Sequence, residues 1–246
     1  NTQAIIMQKG QIVGKATLAT GYEQEKAFEE SLAQAVKDAG LAKEGVQKIF
    51  ATGSGRTSLK IADDTVDEIK AMAKGAHFFF PHARTVIDIG AEEGRAAKMD
   101  EQGNVEDFAI NEKCAAGAGA FIEGMARALD VAVEEMGPLC LQSDRQIPMN
   151  AQCVIFAESD VVNLIHANTE KPEISKAIHD AIASRIASII RRIGINEDIV
   201  MLGGVGYNLG FIDALRRELK IDTIYIPDEP EYGAAVGAAI LAAETA

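Results

Sequence analysis

The chain opens with short apolar runs that alternate with longer stretches of helical spacing over its first half. Apolar residues three and four positions apart predict helices at 25–39 and 68–79. Gly40 and Pro81 follow these stretches, at positions where helices commonly end. Runs of apolar and β-branched residues predict strands, the first two joined by a turn at Gly10, at 4–7, 12–18, 46–52, 85–89, 94–99 and 105–110.

The second half has a more helical pattern. Periodic apolar positions predict helices at 115–129, 156–167, 174–193, 211–219 and 232–243, and short apolar runs predict strands at 199–202 and 223–226. Strands that alternate with helices favour an α/β fold with largely parallel strand pairing. The 246 residues suffice for one large or two small domains. Since no Pro/Ser-rich linker divides the chain, two domains would share a tight hinge.

Composition and charge argue against several classes of protein. The chain has 24 basic and 37 acidic residues, a net charge of −13 and no basic stretch, which argues against a nucleic-acid partner. No apolar run reaches the roughly 18 residues of a membrane span, and no secretory leader is recognisable at the start. We therefore expect a cytoplasmic protein without a membrane partner. Three cysteines in a chain of this length do not indicate a disulfide framework.

Two glycine turns after predicted strands have the composition of phosphate-binding loops. In the first, Asp88 precedes Gly90 at the end of the strand 85–89, where a carboxylate would hold Mg²⁺, usually through water, beside phosphate-facing N–H groups. In the second, Gly203 and Gly204 precede a helix, and bare backbone at a helix N-terminus favours a flat, anionic ligand. Neither turn matches the Walker or dinucleotide-binding motif, and an ordinary tight turn is the alternative for both.

Two of the cysteines precede predicted helices. At the positions of Cys114 and Cys153, a helix dipole would stabilise a thiolate, and two such helix starts that converge would seat an anionic, thiolate-ligated group. A [4Fe–4S] cluster needs four thiolates, so a second chain would have to supply part of the ligation, most simply two cysteines. Structural, buried thiols are the alternative. Cys140 has an apolar setting and is expected to be an inert buried thiol.

The predicted helix 174–193 also contains a histidine. His179 shares this helix with Arg185, Arg191 and Arg192. This favours a position on a solvated helix face rather than a catalytic role. The four histidines of the chain show no metal-ligand spacing with one another.

Together these segments resemble the BadF/BadG/BcrA/BcrD ATPases, a family of benzoyl-CoA reductase subunits and 2-hydroxyacyl-CoA dehydratase activators, over essentially the whole chain. The most specific elements are Lys-Cys-Ala-Ala-Gly-Ala-Gly at 113–119 and Cys-Val-Ile-Phe-Ala-Glu-Ser at 153–159. Val-Ile-Asp-Ile-Gly at 86–90, Gly-Gly-Val at 203–205 with Asn208, and a small-residue helix near the end of the chain support the resemblance.

The resemblance implies an α/β chain with the actin-like (ASKHA) fold, in which two ribonuclease-H-like domains have a nucleotide cleft between them. The N-terminal domain would comprise residues 1–84 and 233–246, and the second domain residues 85–232. ATP or ADP with Mg²⁺ would occupy the cleft. One [4Fe–4S] cluster would be shared with a homologous subunit across a dimer interface, with Cys114 and Cys153 as the ligands from this chain.

The same resemblance assigns roles to individual residues. Asp88 and Glu92 would be the catalytic residues, holding Mg²⁺ and orienting water, and the nucleotide would be bound by Gly90, Ala91, Gly203, Gly204, Val205 and Asn208. Activators usually have Asp-Ile-Gly-Gly-Gln-Asp at the second phosphate loop. Here Ala91 replaces a glycine, which reduces backbone access, and Glu92 replaces an amide, which adds negative charge. The first phosphate loop of the family, an Asp-x-Gly-Ser/Thr turn, would lie before Asn1 and is absent from this sequence.

The resulting hypothesis is an ATP-driven electron donor. Reduced ferredoxin or flavodoxin would supply the electron, and an acyl-CoA reductase or dehydratase would receive it from the cluster. The differences at Ala91 and Glu92 favour the interpretation that this chain is the divergent subunit of a benzoyl-CoA-reductase-type pair. Two alternatives remain open: an actin-like-fold sugar or carboxylate kinase without a cluster, and a non-hydrolysing nucleotide-binding scaffold subunit.

Overall fold

The computed structural model describes residues 1–111 and 117–245. Cys114 lies outside the described residues. The chain forms two compact units: the first comprises Asn1–Ala83, Met99–Val105 and Glu231–Ala246, and the second Arg84–Lys98 and Glu106–Pro230. The domain bounds that the resemblance implies, and the ribonuclease-H type of each domain, stay predictions.

Eight strands and eight helices make up the regular structure of the described residues. The strands are β1 (Thr2–Gln8), β2 (Gln11–Leu18), β3 (Phe50–Ala51), β4 (Asp64–Thr65), β5 (Thr85–Ile89), β6 (Gly94–Met99), β7 (Val105–Asn111) and β8 (Ile199–Leu202). The helices are α1 (Gln24–Asp38), α2 (Glu68–Phe79), α3 (Ala118–Leu129), α4 (Val133–Cys140), α5 (Val154–His166), α6 (Lys171–Ile193), α7 (Leu209–Leu219) and α8 (Gly233–Ala243). Short 3-10 turns occupy Lys43–Gly45, Arg56–Ser58, Gly204–Tyr207 and Pro230–Tyr232.

The first unit is built on an antiparallel hairpin. Strands β1 and β2 pair across a turn in which Lys9 and Gly10 have positive φ angles. Helix α1 packs on the hairpin through Phe28 and Leu32, and a Cβ at Gly14 would lie 2.2 Å from the Ala35 carbonyl oxygen. Helices α2 and α8 of the same unit also approach each other closely, because a glycine of each helix faces the backbone of the other helix.

The second unit contains a four-stranded sheet in the order β7-β6-β5-β8. Strand β5 pairs antiparallel with β6 and parallel with β8, so the carboxyl ends of β5 and β8 meet at one edge. Helices α3, α4, α5, α6 and α7 supply most of the core, whose largest fully buried side chains include Phe121, Met125, Ile178, Ile182 and Phe211.

Most predicted elements are confirmed. Helix 68–79 and strands 85–89, 94–99 and 199–202 have the predicted bounds, and the other long helices differ by a few residues at their ends. Strand 46–52 shrinks to Phe50–Ala51, and 223–226 contributes a single parallel bridge between Val200 and Tyr225. Helix α4 was not predicted, because Gly137 and Pro138 interrupt its helical pattern.

The prediction of largely parallel pairing is confirmed only in part. Adjacent strands joined by tight turns, β1 with β2 and β5 with β6, are antiparallel, since a tight turn reverses the chain. Only β3 with β4 and β5 with β8 are recorded as parallel strand pairs in the described part of the chain. Within the same residues, no helix combines the length and the apolar character that crossing a membrane requires.

Candidate functional site

The first candidate site lies where β5 meets β6, a segment named here the aspartate turn (residues 88–94). Asp88 of β5 is the cross-strand partner of Arg95 on β6, so their side chains lie on the same face of the sheet. Arg95 Nη1 is 3.7 Å from Asp88 Oδ2, and Arg95 also forms an ion pair with Glu93. The Asp88 and Arg95 side chains are only 14% and 13% exposed. A cation therefore already faces the Asp88 carboxylate in a poorly solvated setting.

The middle of the aspartate turn is more accessible than its two ends. The Gly90 N–H donates to the Glu93 carbonyl oxygen (3.0 Å), so this donor is used within the turn. Ala91 and Glu92 are exposed. Within this turn, the predicted site residues Ala91 and Glu92 are thus the two that a ligand from solvent reaches most easily.

The start of α3 packs directly on the aspartate turn. Gly119 N–H donates to the Gly90 carbonyl oxygen (3.2 Å), and Ala120 N–H to that of Ala91 (2.9 Å). The turn thereby satisfies N–H groups that have no partner within the helix. A Cβ at Gly117 would lie 2.0 Å from the Ala91 carbonyl oxygen, so only glycine permits this approach. Two glycines of the first cysteine motif are consequently required for packing against the turn.

The second candidate loop, residues 203–208, follows β8 and is named here the glycine loop. Gly203 has φ +86, and a Cβ there would lie 2.3 Å from the Ile89 carbonyl oxygen and 2.7 Å from Asp88 Oδ1. Gly204 is exposed, with no described atom within 4 Å of a Cβ, whereas Val205 is buried. Because β5 and β8 are parallel and in register, the Asp88 carboxylate touches the glycine loop. The structure thus brings together the two turns that the sequence singled out.

Asn208 ends the glycine loop as the N-cap of α7. Its Oδ1 accepts a hydrogen bond from Phe211 N–H (3.0 Å) and lies 3.1 Å from His179 Nε2. The side chain that the resemblance placed in the adenosine site therefore has a structural role at the start of α7. A Cβ at Gly137 of α4 would lie 2.8 Å from the same Oδ1, so α4 also closes around this cap.

The prediction that His179 lies on a solvated helix face is wrong. His179 is fully buried, and its Nδ1 lies 2.7 Å from the Ser175 carbonyl oxygen, one turn earlier in α6. Burial lowers the pKa of His179, while its hydrogen bonds to Ser175 and Asn208 act in the opposite direction. The available signal was position: His179 directly follows Ile178 in the apolar pattern of the helix.

Cys153 lies in a third segment, residues 150–153, named here the cysteine loop. It is the N-cap residue of α5, is half-buried, and makes no side-chain capping hydrogen bond to the described residues. Arg185 of α6 donates through Nη1 to the carbonyl oxygens of Ala151 (2.7 Å) and Gln152 (3.0 Å). No pattern in the sequence indicated that Arg185 holds this loop, because the contact joins residues more than 30 positions apart.

Additional hydrogen bonds fix the other end of the cysteine loop. Asn150 N–H donates to Asp160 Oδ2 of α5 (3.1 Å), and Gln152 N–H donates to Asn150 Oδ1 (2.7 Å). Val154, the first residue of α5, faces α3, where a Cβ at Gly124 would lie 3.2 Å from Val154 Cγ1. The two helices that follow the cysteine motifs are thus in contact with each other.

The two described cysteines have opposite environments. Cys140 is buried, which confirms the burial expected from its apolar setting, and burial raises the pKa of its thiol to about 12. Cys153 is partly accessible and is followed by two exposed apolar side chains, Ile155 (70% exposed) and Phe156 (63%). Two large apolar side chains thus project from the protein surface immediately after the thiol.

The residues present fit the implied groups as follows. The Asp88 carboxylate offers the hard oxygen ligands that Mg²⁺ prefers, and Gly204 leaves open space beside it for a nucleotide. At the cysteine loop, an accessible thiol sits at the N-terminus of α5, which suits one ligand of an anionic cluster. Among residues 1–111 and 117–245, no group of three or more His, Cys, Asp or Glu side chains is arranged to hold a metal. A cluster there therefore needs ligands in addition to Cys153.

Comparisons with known proteins identify several similar chains. The chain is 36% identical over 246 residues to the activator of lactoyl-CoA dehydratase from Anaerotignum propionicum, covering all of this chain and 95% of that relative. It is 34% identical to a subunit of benzoyl-CoA reductase from Thauera aromatica, over 87% of this chain and 78% of that protein. The crystal structure of Acidaminococcus fermentans (R)-2-hydroxyglutaryl-CoA dehydratase component A superimposes with a TM-score of 0.93 at 34% identity, covering 99% of this chain and 93% of that chain.

The structural similarity confirms the predicted actin-like ATPase fold. The family model described as the BadF/BadG/BcrA/BcrD ATPase family matches residues 1–242, nearly the full chain. This match confirms the family that the cysteine motifs and glycine turns indicated. The chain belongs to the BadF/BadG/BcrA/BcrD ATPase family.

Proposed function

We propose that this protein is an ATP-dependent activator subunit that passes a low-potential electron to an acyl-CoA dehydratase or reductase. The observation that carries the proposal is the contact between Asp88 and Gly203, which joins the aspartate turn and the glycine loop at one sheet edge. A carboxylate beside bare glycine backbone is the arrangement expected for a magnesium-bound nucleotide phosphate. The relatives named as a dehydratase activator and as a reductase subunit support the activator role.

In nucleotide binding, residues of the second unit have distinct roles. Asp88 would hold Mg²⁺, which would supply neutralisation of the charge that develops on the phosphates of bound ATP. Gly203 and Gly204 let the nucleotide lie against the backbone, and Val205 anchors the loop in the core. Glu92, exposed on the aspartate turn, orients the attacking water.

At the cluster, Cys153 and Cys114 supply two thiolates and a homologous subunit supplies two more. A [4Fe–4S] cluster held there would supply one-electron transfer, with reduced ferredoxin or flavodoxin as the electron source. Cys153 is suited to this role by its access to solvent and its place at the start of α5. The exposed side chains of Ile155 and Phe156 support a partner protein beside the thiol.

Among the two kinds of partner, we favour a reductase of the benzoyl-CoA type. The reason is the aspartate turn, in which Ala91 and Glu92 replace the glycine and amide usual in activators. An extra methyl group and an extra negative charge weaken phosphate binding at this turn. A subunit of this kind suits a pair of unlike subunits, in which the other one hydrolyses ATP faster.

Iron, sulfide and spectra of anaerobically purified protein test the proposal. We expect about four iron and four sulfide per two chains, with loss of both in Cys153→Ser and retention in the matched control Cys140→Ser.

ATPase activity with Mg²⁺ should fall by at least about a hundredfold in Asp88→Asn, because the metal loses its carboxylate. A colourless, iron-free protein after reconstitution, together with phosphorylation of a sugar or carboxylate, would replace the electron donor with a kinase. Full cluster content without ATPase activity in any assembly would indicate the scaffold subunit.

A further inference from the structure

One helix contacts both the glycine loop and the cysteine loop. From α6, the imidazole of His179 reaches Asn208, and the guanidinium of Arg185 reaches the carbonyl oxygens of Ala151 and Gln152. The two side chains are six positions apart, which corresponds to a rise of about 9 Å along a helix. The proposed nucleotide and cluster chemistry uses neither of them.

The contact at Arg185 is strong for an exposed loop. A single guanidinium nitrogen donates to two successive carbonyl oxygens, and hydrogen bonds from a charged donor are roughly twice as strong as neutral ones. Because Gln152 and Ala151 immediately precede Cys153, their carbonyl groups fix the backbone from which the thiol projects. Displacement of α6 along its axis would therefore pull on the Cys153 backbone or break these bonds.

The contact at His179 is buried and equally constrained. The imidazole is fixed on α6 by the Ser175 carbonyl oxygen, and on the other side it meets the Asn208 oxygen that also caps Phe211. Breaking this contact would leave Nε2 of the buried His179 without this partner, whereas Asn208 Oδ1 would keep its hydrogen bond from Phe211 N–H. Movement of the glycine loop at Asn208 would therefore strain or break its contact with α6.

Between the two contacts, α6 is a continuous and well-packed helix. It extends from Lys171 to Ile193, and Ile182, Ala183 and Ile186 in its central part are buried. Helices packed in a protein interior move as rigid bodies, because the side chains of the interior are packed nearly as densely as molecules in a crystal.

We propose that α6 couples the glycine loop to the cysteine loop, with His179 and Arg185 as positioning residues at its two contacts. This inference rests on the proposed function, since it assigns the residues through which a nucleotide changes the setting of Cys153. A nucleotide that binds two positions of the glycine loop unequally shifts α6, and the Arg185 contact then changes the exposure and orientation of the Cys153 thiol.

Alkylation of the individual cysteines tests the coupling without any cluster. The full chain is freed of iron with a chelator and treated with iodoacetamide, with or without a non-hydrolysable ATP analogue and Mg²⁺, and each cysteine is quantified by peptide mass spectrometry. We expect the nucleotide to change the Cys153 rate by at least about fivefold. Cys140 serves as an internal control, because a buried thiol with a pKa of about 12 stays unreactive in the folded protein.

The variants separate the two contacts. Arg185→Met should raise the Cys153 rate without nucleotide and abolish the nucleotide response, and Arg185→Lys should restore part of both. His179→Gln should leave the rate without nucleotide near that of the parent and abolish the response. Arg192→Met, at an exposed arginine of the same helix, is the matched control and should change neither.

Nucleotide binding, measured in parallel by fluorescence, distinguishes the two ways in which the idea can fail. If the analogue binds and the Cys153 rate does not change, or if Arg185→Met keeps the full response, the coupling is wrong while the proposed function stands. If neither ATP nor its analogue binds at millimolar concentration, the proposed function fails and the coupling with it. Hydrogen exchange of the amides of residues 150–157 gives the same readout for a variant that is too unstable for alkylation kinetics.

Discussion

The aspartate turn and the glycine loop lie at the same edge of one sheet, but they are held in place differently. Ala91 and Glu92 of the aspartate turn are exposed. The Asp88 carboxylate of the same turn is held by an ion pair with Arg95. In the glycine loop, Val205 is buried and Asn208 is tied to α6 and α7. A loop with buried supports tolerates little change, whereas an exposed turn accepts substitution and sets how strongly phosphate is bound.

The largest effect is expected at Gly203. Gly203→Ala places a Cβ against the Ile89 carbonyl oxygen and Asp88 at a positive φ, so the free energy of unfolding should fall by about 2–4 kcal/mol. Nucleotide binding should be lost as well. The matched control is Gly204→Ala, whose Cβ meets no described atom within 4 Å and should change stability by less than about 0.5 kcal/mol. Urea unfolding measures the change in the free energy of unfolding for both variants. Equal changes would show that the close approach at Gly203 does not hold the glycine loop in place.

Removal of the cap at the end of the glycine loop should have the next largest effect. Asn208→Ala removes the acceptor of Phe211 N–H and leaves the buried His179 ring without its partner. The expected cost is about 2 kcal/mol in the free energy of unfolding, from the cap and the unpaired ring together. Asn208→Asp keeps the acceptor and should recover part of this loss. A thermal unfolding midpoint for Asn208→Ala equal to that of the parent would contradict the capping role.

The buried imidazole predicts a dependence of stability on pH. Because the pKa of His179 is lowered in the folded state from its ordinary value of 6.5, the unfolded chain binds a proton first as pH falls. The contribution of His179 to the free energy of unfolding therefore has its full value above about pH 6.5. Below that pH it decreases, by at most about 1.4 kcal/mol per pH unit, until the pH passes the pKa of His179 in the folded state. The difference between the parent and His179→Gln in urea midpoints, measured from pH 7.5 to 5, should shrink as pH falls. A constant difference would show that His179 binds protons equally in both states.

The smallest effect on stability is expected in the aspartate turn. Glu92→Gln and Ala91→Gly alter exposed positions, so the free energy of unfolding should stay within about 0.5 kcal/mol of the parent. Removal of the exposed charge should tighten nucleotide binding by about twofold to fivefold, as measured by fluorescence titration. Glu134→Gln, which removes an exposed acid from α4, should leave the affinity unchanged. Weaker binding in Glu92→Gln would instead assign this carboxylate a favourable contact with the bound nucleotide or its metal.

Local sequence patterns predicted the elements that depend on local forces. The bounds of α2 are those of its apolar repeat. Strand β8 is a continuous apolar run, β5 is apolar except for Thr85 and Asp88, and a glycine follows each strand. Errors arose where contacts distant in sequence decide the outcome. Helix α4 forms despite Gly137 because that glycine allows close packing against the start of α7. Strand 46–52 forms only at Phe50–Ala51, the two residues that pair with β4.

The same distinction applies to the candidate site. By itself, the sequence determined the family, the two glycine turns, and the burial of Cys140, because each of these depends on residue type and spacing. The tertiary structure alone decided that Asp88 touches Gly203, that His179 is buried against Asn208, and that Arg185 holds the backbone before Cys153. These contacts arise from the parallel register of β5 with β8 and from the packing of α6. Packing joins residues far apart in the chain, and no pattern along a single sequence encodes which of them will meet.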